Sequence, residues 1–225
     1  MAINIKSTKG FHTQGVKALV YGHAGSGKTS LIATLPRPIV LSAEGGLLSI
    51  AATDTAYIEI SSMASLMESY EWLTKSNEAK SFDSVALDSI SEIAEVVLAE
   101  ELRKNKDGRA AYCELNNIMA GMIRAFRDLS GKHVYFTAKC EKSQDEQGRM
   151  LYSPSMPGKS LTQGISYYFD IVLALRVERD ADGVAQRALM CDSDGLWQAK
   201  DRSGKLSAWE APDLGAIISK IGGVA

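Results

Sequence analysis

The sequence predicts an α/β fold: a mostly parallel, twisted sheet with helices on both faces and a β-rich C-terminal part. Strand-length apolar runs alternate with amphipathic helical stretches, the pattern of repeated βαβ units. One glycine-rich turn, Gly22 to Thr29, lies between such a run and such a stretch. The 225 residues, 45% hydrophobic and 23% charged, suit one α/β domain with a sizeable core and are too few for two of that kind. The expected organisation is therefore a single domain over residues 1–225, with a lead-in at 1–15 and a β-rich tail with a closing helix at 178–225.

Val16 to Tyr21 is an apolar run with one lysine that leads, as a buried strand, into Gly22. A helix is expected from about Gly27, ended by Pro36 and Pro38. Ile39-Val40-Leu41 forms the second strand and Tyr57 to Ile60 a weaker third. Residues 62–75 carry Met63, Leu66, Met67, Tyr70 and Leu73 at helical spacing. Val85-Ala86-Leu87-Asp88 is a strand ending in a carboxylate, continued by an amphipathic helix to about Leu102 whose wet face holds Glu92, Glu95, Glu100 and Glu101. After a basic break at 103–109 come a second helix (Leu115 to Phe126) and the strand His133 to Thr137. Residues 140–164 show no period, so they read as a long loop, and long loops inside compact domains tend to be functional. Tyr168 to Val177, Arg187 to Met190 and Leu196 to Ala199 read as strands, and Pro212 to Ile221 as the closing helix.

A formal charge of −2 and a pI near 6.0 exclude a protein coated in positive charge, so any nucleic-acid contact must come from local patches. Cys113, Cys140 and Cys191 fit no metal or redox spacing and are expected to be buried free thiols in a reducing cytoplasm. His12 and His133 lack ligand partners at useful spacing. The N-terminus has no apolar signal region and no run of 18 apolar residues occurs, which points to a cytoplasmic protein with no membrane partner.

Gly22-His23-Ala24-Gly25-Ser26-Gly27-Lys28-Thr29 matches G-x-x-x-x-G-K-[ST], the Walker A phosphate-binding motif. Its glycines let backbone N–H groups turn inward around phosphate oxygens, and Ser30 continues the cradle. Lys28 is placed to reach the β- and γ-phosphates of ATP, and the Thr29 hydroxyl to ligate Mg²⁺. Asp88 at a strand tip suits the magnesium shell in the Walker B manner, the alternative being a helix N-cap. Glu44, in Ser42-Ala43-Glu44-Gly45-Gly46, ends the second strand. It could activate a water, although spacing alone favours an exposed turn glutamate.

Together these residues resemble the RecA superfamily, in which a strand-end glutamate between the two Walker motifs activates the hydrolytic water; Ala43-Glu44 falls at that place, and Leu87-Asp88-Ser89 resembles the family's Walker B. The closer likeness is to the short phage RecA-like proteins grouped with the Sak single-strand annealing families, over roughly residues 14–205. That resemblance implies a RecA-like, Mg²⁺-dependent ATPase that binds single-stranded DNA, promotes annealing or recombination beside a single-strand binding protein, and works in the cytoplasm of a phage-infected host. It also implies a homo-oligomer with nucleotide at subunit interfaces, because Lys200-Asp201-Arg202-Ser203-Gly204 resembles a segment whose cations reach a neighbour's γ-phosphate. An exposed hairpin turn is the alternative for Lys200 and Arg202. Lys139 stands near the place where relatives carry a γ-phosphate-sensing glutamine.

Arg103, Lys104, Lys106 and Arg109 cluster where RecA-like proteins place a first DNA loop, and Lys142, Arg149, Tyr152 and Lys159 fall in the second. A solvated, mobile surface is the alternative for both. Two rival functions remain: an ATP-switched loader or adaptor of a replication protein with little turnover, and a P-loop kinase for a small molecule.

Overall fold

The computed structural model describes residues 15–222; His12 and the lead-in before Gly15 lie outside the described residues. Six strands run parallel in the order β7 (Ile171–Arg179), β1 (Lys17–Gly22), β5 (His133–Gln144), β4 (Ser84–Asp88), β2 (Pro38–Ser42) and β3 (Ala56–Glu59). β1 and β4 are buried from end to end, as strands covered on both faces must be. Leu19, Tyr21, Val85, Leu87 and Phe136 face a core shared with α1 (Met63–Lys75), α2 (Ile90–Lys104) and α3 (Gly108–Arg127). Val20, Ala86 and Tyr135 face the other core, closed by Leu31, Ile32 and α5 (Leu214–Ile221). The predicted α/β class, with helices on both faces, is what the chain adopts.

The C-terminal part is antiparallel. β8 (Ala185–Met190) returns along β7, β10 (Trp209–Glu210) pairs with β8, and β9 (Lys200–Asp201) with β7. The strand expected at Leu196 to Ala199 is reduced to a single parallel bridge between Trp197 and Tyr152: the Asp194 carboxylate accepts from the Leu196 and Trp197 amides at 2.8 and 2.7 Å and bends the chain where the strand would begin. Such local side-chain bonds compete with a ladder.

Four further expectations change. The segment after the glycine-rich loop is a 3-10 turn, Ser30–Thr34, rather than an α-helix. Leu35 precedes Pro36 and is held extended (ψ 147°), so the run ends before α-helical turns can accumulate. Residues 140–164 are not a loop: β5 continues to Gln144 and pairs with β6 (Met150–Ser155), and α4 (Lys159–Gly164) follows. Asp145 closes that hairpin by accepting from the amides of Gln147 and Arg149, a turn hidden from a helical or strand period. Glu101 is buried rather than on a wet face, held by Lys104 and Asn105. Cys191 is buried and Cys140 half-buried, but Cys113 is exposed, on the side of α3 away from Leu115 and Met119. Among the described residues no helix is long and apolar enough to cross a membrane.

Candidate functional site

All six parallel strands deliver their carboxyl ends to one edge of the sheet, where α/β folds bind ligands. β1 opens there into the Gly22–Thr29 loop. Gly25 (φ +73°) and Gly27 (φ +104°) take conformations that side chains resist, and these two bends shape the loop. Lys28 folds back into it, Nζ donating to the carbonyls of Gly22 (3.0 Å) and His23 (3.1 Å). Burial lowers the Lys28 pKa, opposed by the nearby Glu44 and Asp88 carboxylates. The buried Ser26 hydroxyl has no hydrogen-bond partner among the described residues, and a Cβ at Gly22 would lie 2.8 Å from it.

Asp88 ends β4, with β5 between it and β1. Its buried carboxylate accepts from Thr29 Oγ1 at 2.7 Å through Oδ2, and from Thr137 Oγ1 through Oδ1. The N-cap alternative for Asp88 fails, because the neighbouring Ser89 side chain caps α2 by accepting from Glu92 N. Ser42 is level with Asp88 across β2 and β4, and the Ala43 amide donates to Asp88 O at 2.7 Å. Glu44 therefore leaves the same edge; it is exposed, and Ser89 Oγ donates to its Oε1. Lys28 with Thr29, Glu44 and Asp88, from three separate segments of the sequence, converge here. Among the described residues no group of three or more His, Cys, Asp or Glu forms a metal cage. A divalent ion at Thr29 and Asp88 would complete its shell with phosphate oxygens and water, the usual habit of Mg²⁺.

Four contributors carried little sequence signal. Thr137 orients Asp88. Ser89 restrains Glu44. Tyr135 braces the loop end by donating to Lys28 O at 3.0 Å. Arg187, on β8, donates from Nε to Ser26 O at 3.0 Å across 161 residues of chain. Thr137, a hydroxyl closing an apolar run, and Ser89, next to Asp88 in Leu87-Asp88-Ser89, are the two with any sequence signal.

Of the remaining expected site residues, His23 belongs to the loop itself and Ser30 follows it at the start of the 3-10 turn, whereas the others lie apart from this cluster. His23 sets its ring edge-on against Tyr152 (5.9 Å) and Trp197 (5.6 Å), whose own rings stack at 4.2 Å. That stack uses one face of Tyr152. Tyr152 and Lys159 line an open groove of about 680 Å³ in which Glu141 and Lys159 are the charged members. Arg149 is committed to the hairpin turn by its Asp145 ion pair at 2.7 Å, whereas Lys142 is exposed opposite Tyr152. Arg103, Lys104, Lys106 and Arg109 are all exposed around the α2–α3 turn, with Lys104 paired to Glu101. Lys139 turns to Glu92 (2.7 Å) and Glu95 (3.0 Å). Burial opposes its charge, but these two carboxylates raise its pKa overall.

Lys200 pairs with Val172 and thus with the level of Leu19, toward the amino end of β1 rather than at its Gly22 end. Its ammonium bonds Ser166 O, and Arg202 donates to Tyr167 O at 3.0 Å.

A parallel α/β sheet with a glycine-rich phosphate loop at its carboxyl edge and an acidic strand tip bonded to the loop threonine defines a P-loop domain. The chain belongs to the AAA domain family, whose model matches residues 14–203. Among solved structures it is similar to a KaiC-like protein from the hyperthermophilic archaeon Pyrococcus horikoshii OT3, at 14% identity over 79% of this chain and 78% of that one, with a TM-score of 0.42. No curated protein matches it.

Proposed function

We propose that the chain is a Mg²⁺-dependent ATPase with a RecA-like core that binds single-stranded DNA and promotes strand annealing or homologous recombination. The observation that carries the ATPase reading is the convergence of Lys28, Thr29, Asp88 and Glu44 on one sheet edge. The loop fits a polyphosphate: its amides line a bend built on positive-φ glycines, and the buried Ser26 hydroxyl awaits a partner. Lys28, now on two neutral carbonyls, would move to phosphate oxygens, where its charge is better matched. Thr29 and Asp88 would hold the ion, and Mg²⁺ when bound neutralises charge on the transferred phosphoryl group. Glu44, exposed and steadied by Ser89, is placed to take a proton from the attacking water.

Lys200 and Arg202 lie too far down the sheet to serve their own loop, which supports a role in trans, with nucleotide at the interface of a homo-oligomer. The DNA reading rests on the exposed cations Arg103, Lys106 and Arg109 and on the resemblance to phage annealing proteins, from which a host-cytoplasm setting and a single-strand binding partner also follow. The groove beside Tyr152, with one charge of each sign, offers stacking more than phosphate neutralisation.

Filter binding of labelled single-stranded DNA with ATP, ADP or no nucleotide, across a salt series, tests this half. Alanine at Arg103, Lys104, Lys106 and Arg109 together is expected to weaken binding and flatten its salt slope by roughly 0.7 per lost phosphate contact. ATP binding should persist. An unchanged slope would remove the cluster from the DNA site, and wild-type protein that turns ATP over without holding DNA would overturn the annealing role.

A further inference from the structure

We infer that Arg187 is a phosphate-contacting residue of the nucleotide site, supplied in cis by the antiparallel tail. The inference rests on the nucleotide reading above and adds a group to it. β8 follows β7 in register, with Val177 opposite Arg187 and Ala174 opposite Met190. Ala174 is level with Tyr21, the residue before Gly22. The β7–β8 hairpin therefore carries Arg187 past the carboxyl edge of the sheet, alongside the loop that leaves β1.

Arg187 Nε donates to Ser26 O at 3.0 Å, and a Cβ placed on Gly27 would come within 3.4 Å of that nitrogen. The side chain thus lies directly against the backbone of Ser26 and Gly27, where the phosphate cradle is built. A guanidinium offers five N–H donors in a planar fork, and a single Nε bond leaves both Nη groups for an anion. Among the described residues the Arg187 side chain makes no ion pair with an Asp or Glu, unlike Arg149 with Asp145 or Arg176 with Glu178. An unpaired, exposed cation fastened to a phosphate loop has the placement and chemistry of a ligand for phosphate oxygens. Its Nε bond sets where the Nη fork points, so Lys would supply the charge but not that orientation.

Equilibrium binding of Mg²⁺-ATP, ADP and AMP to wild type, Arg187→Ala and Arg187→Lys, each checked for an unchanged melting temperature without ligand, tests this. For Arg187→Ala, ATP affinity is expected to fall about 10- to 100-fold, as loss of a charge-assisted hydrogen bond predicts. The loss should shrink from ATP to ADP to AMP, and Arg187→Lys should recover part of it. Equal losses for all three nucleotides, with no recovery by lysine, would make Arg187 a brace of the loop only and overturn the inference; so would unchanged ATP affinity in Arg187→Ala. If alanine lowers the melting temperature, the same comparison between wild type and Arg187→Lys decides, with the ATP-weighted loss again required. Wild-type protein that binds none of the nucleotides would instead bring down the nucleotide reading itself.

Discussion

Replacing Lys28 by methionine should abolish stabilisation by nucleotide while leaving the free protein close to its original stability. In the unliganded fold the Lys28 ammonium is partly buried on the Gly22 and His23 carbonyls, and its lowered pKa shows that the folded environment disfavours its charge. Deleting it removes two hydrogen bonds but also a desolvated cation. These effects oppose, so the net change without ligand should stay within about 1 kcal/mol. With nucleotide the balance differs, because Lys28 is the one Lys or Arg of the Gly22–Thr29 loop. A ligand at one hundred times its Kd stabilises the wild-type fold by about 2.7 kcal/mol. For a domain of this size that raises Tm by about 5–10 °C. Thermal unfolding followed by circular dichroism, with and without Mg²⁺-ATP, should show this rise in wild type and nearly none in Lys28→Met. A variant that keeps the full rise would refute the assignment of the loop to phosphate.

Glu44→Gln should bind ATP as wild type does but hydrolyse it about 10²- to 10⁴-fold more slowly; unchanged single-turnover hydrolysis would leave Glu44 as a turn residue held by Ser89. A Lys200→Ala/Arg202→Ala protein should bind ATP normally, hydrolyse it about 10³-fold more slowly, and regain activity when mixed with excess Lys28→Ala protein. No rescue at any ratio, while light scattering shows co-assembly, would exclude action in trans. Lys17 gives a pH signature: burial lowers its pKa to about 8, Asp170 and Asp128 opposing, while Nζ donates to Leu129 O and Lys132 O. Because the folded pKa lies below the ordinary 10.5, the unfolded chain binds more protons between those values and stability rises with pH across that window. The rise attributable to Lys17 should be about 3 kcal/mol by urea denaturation at pH 8 and 10.5, and a Lys17→Met protein with the same pH dependence would contradict it.

The α/β class and the phosphate loop were legible because both are written in short windows. A buried strand needs only a run such as Ala18 to Tyr21, and the loop needs glycines at Gly22, Gly25 and Gly27 with Lys28 behind them. Asp88 and Glu44 were visible as strand-end carboxylates, but sequence left Asp88 open to an N-cap role, and only the position of Ser89 at the head of α2 decided that. The 3-10 turn after the loop was a misjudged boundary: Pro36 was in plain view, yet how many turns precede it depends on where Leu31 and Ile32 must pack. The hairpin at 133–155 was missed because its charged, exposed outer half shows no alternation, having little apolar face to bury.

What the sequence by itself determined is the local chemistry: which segment forms the glycine-rich loop, which strand tips carry acid, and which helices have one apolar face. The tertiary structure alone decided which distant residues share the site. Thr137 meets Asp88 because β5 inserts between β1 and β4, and Arg187 meets Ser26 because the β7–β8 hairpin overshoots the sheet edge. Strand order and register are set by the summed burial of two cores, a property of the whole chain that no single window contains.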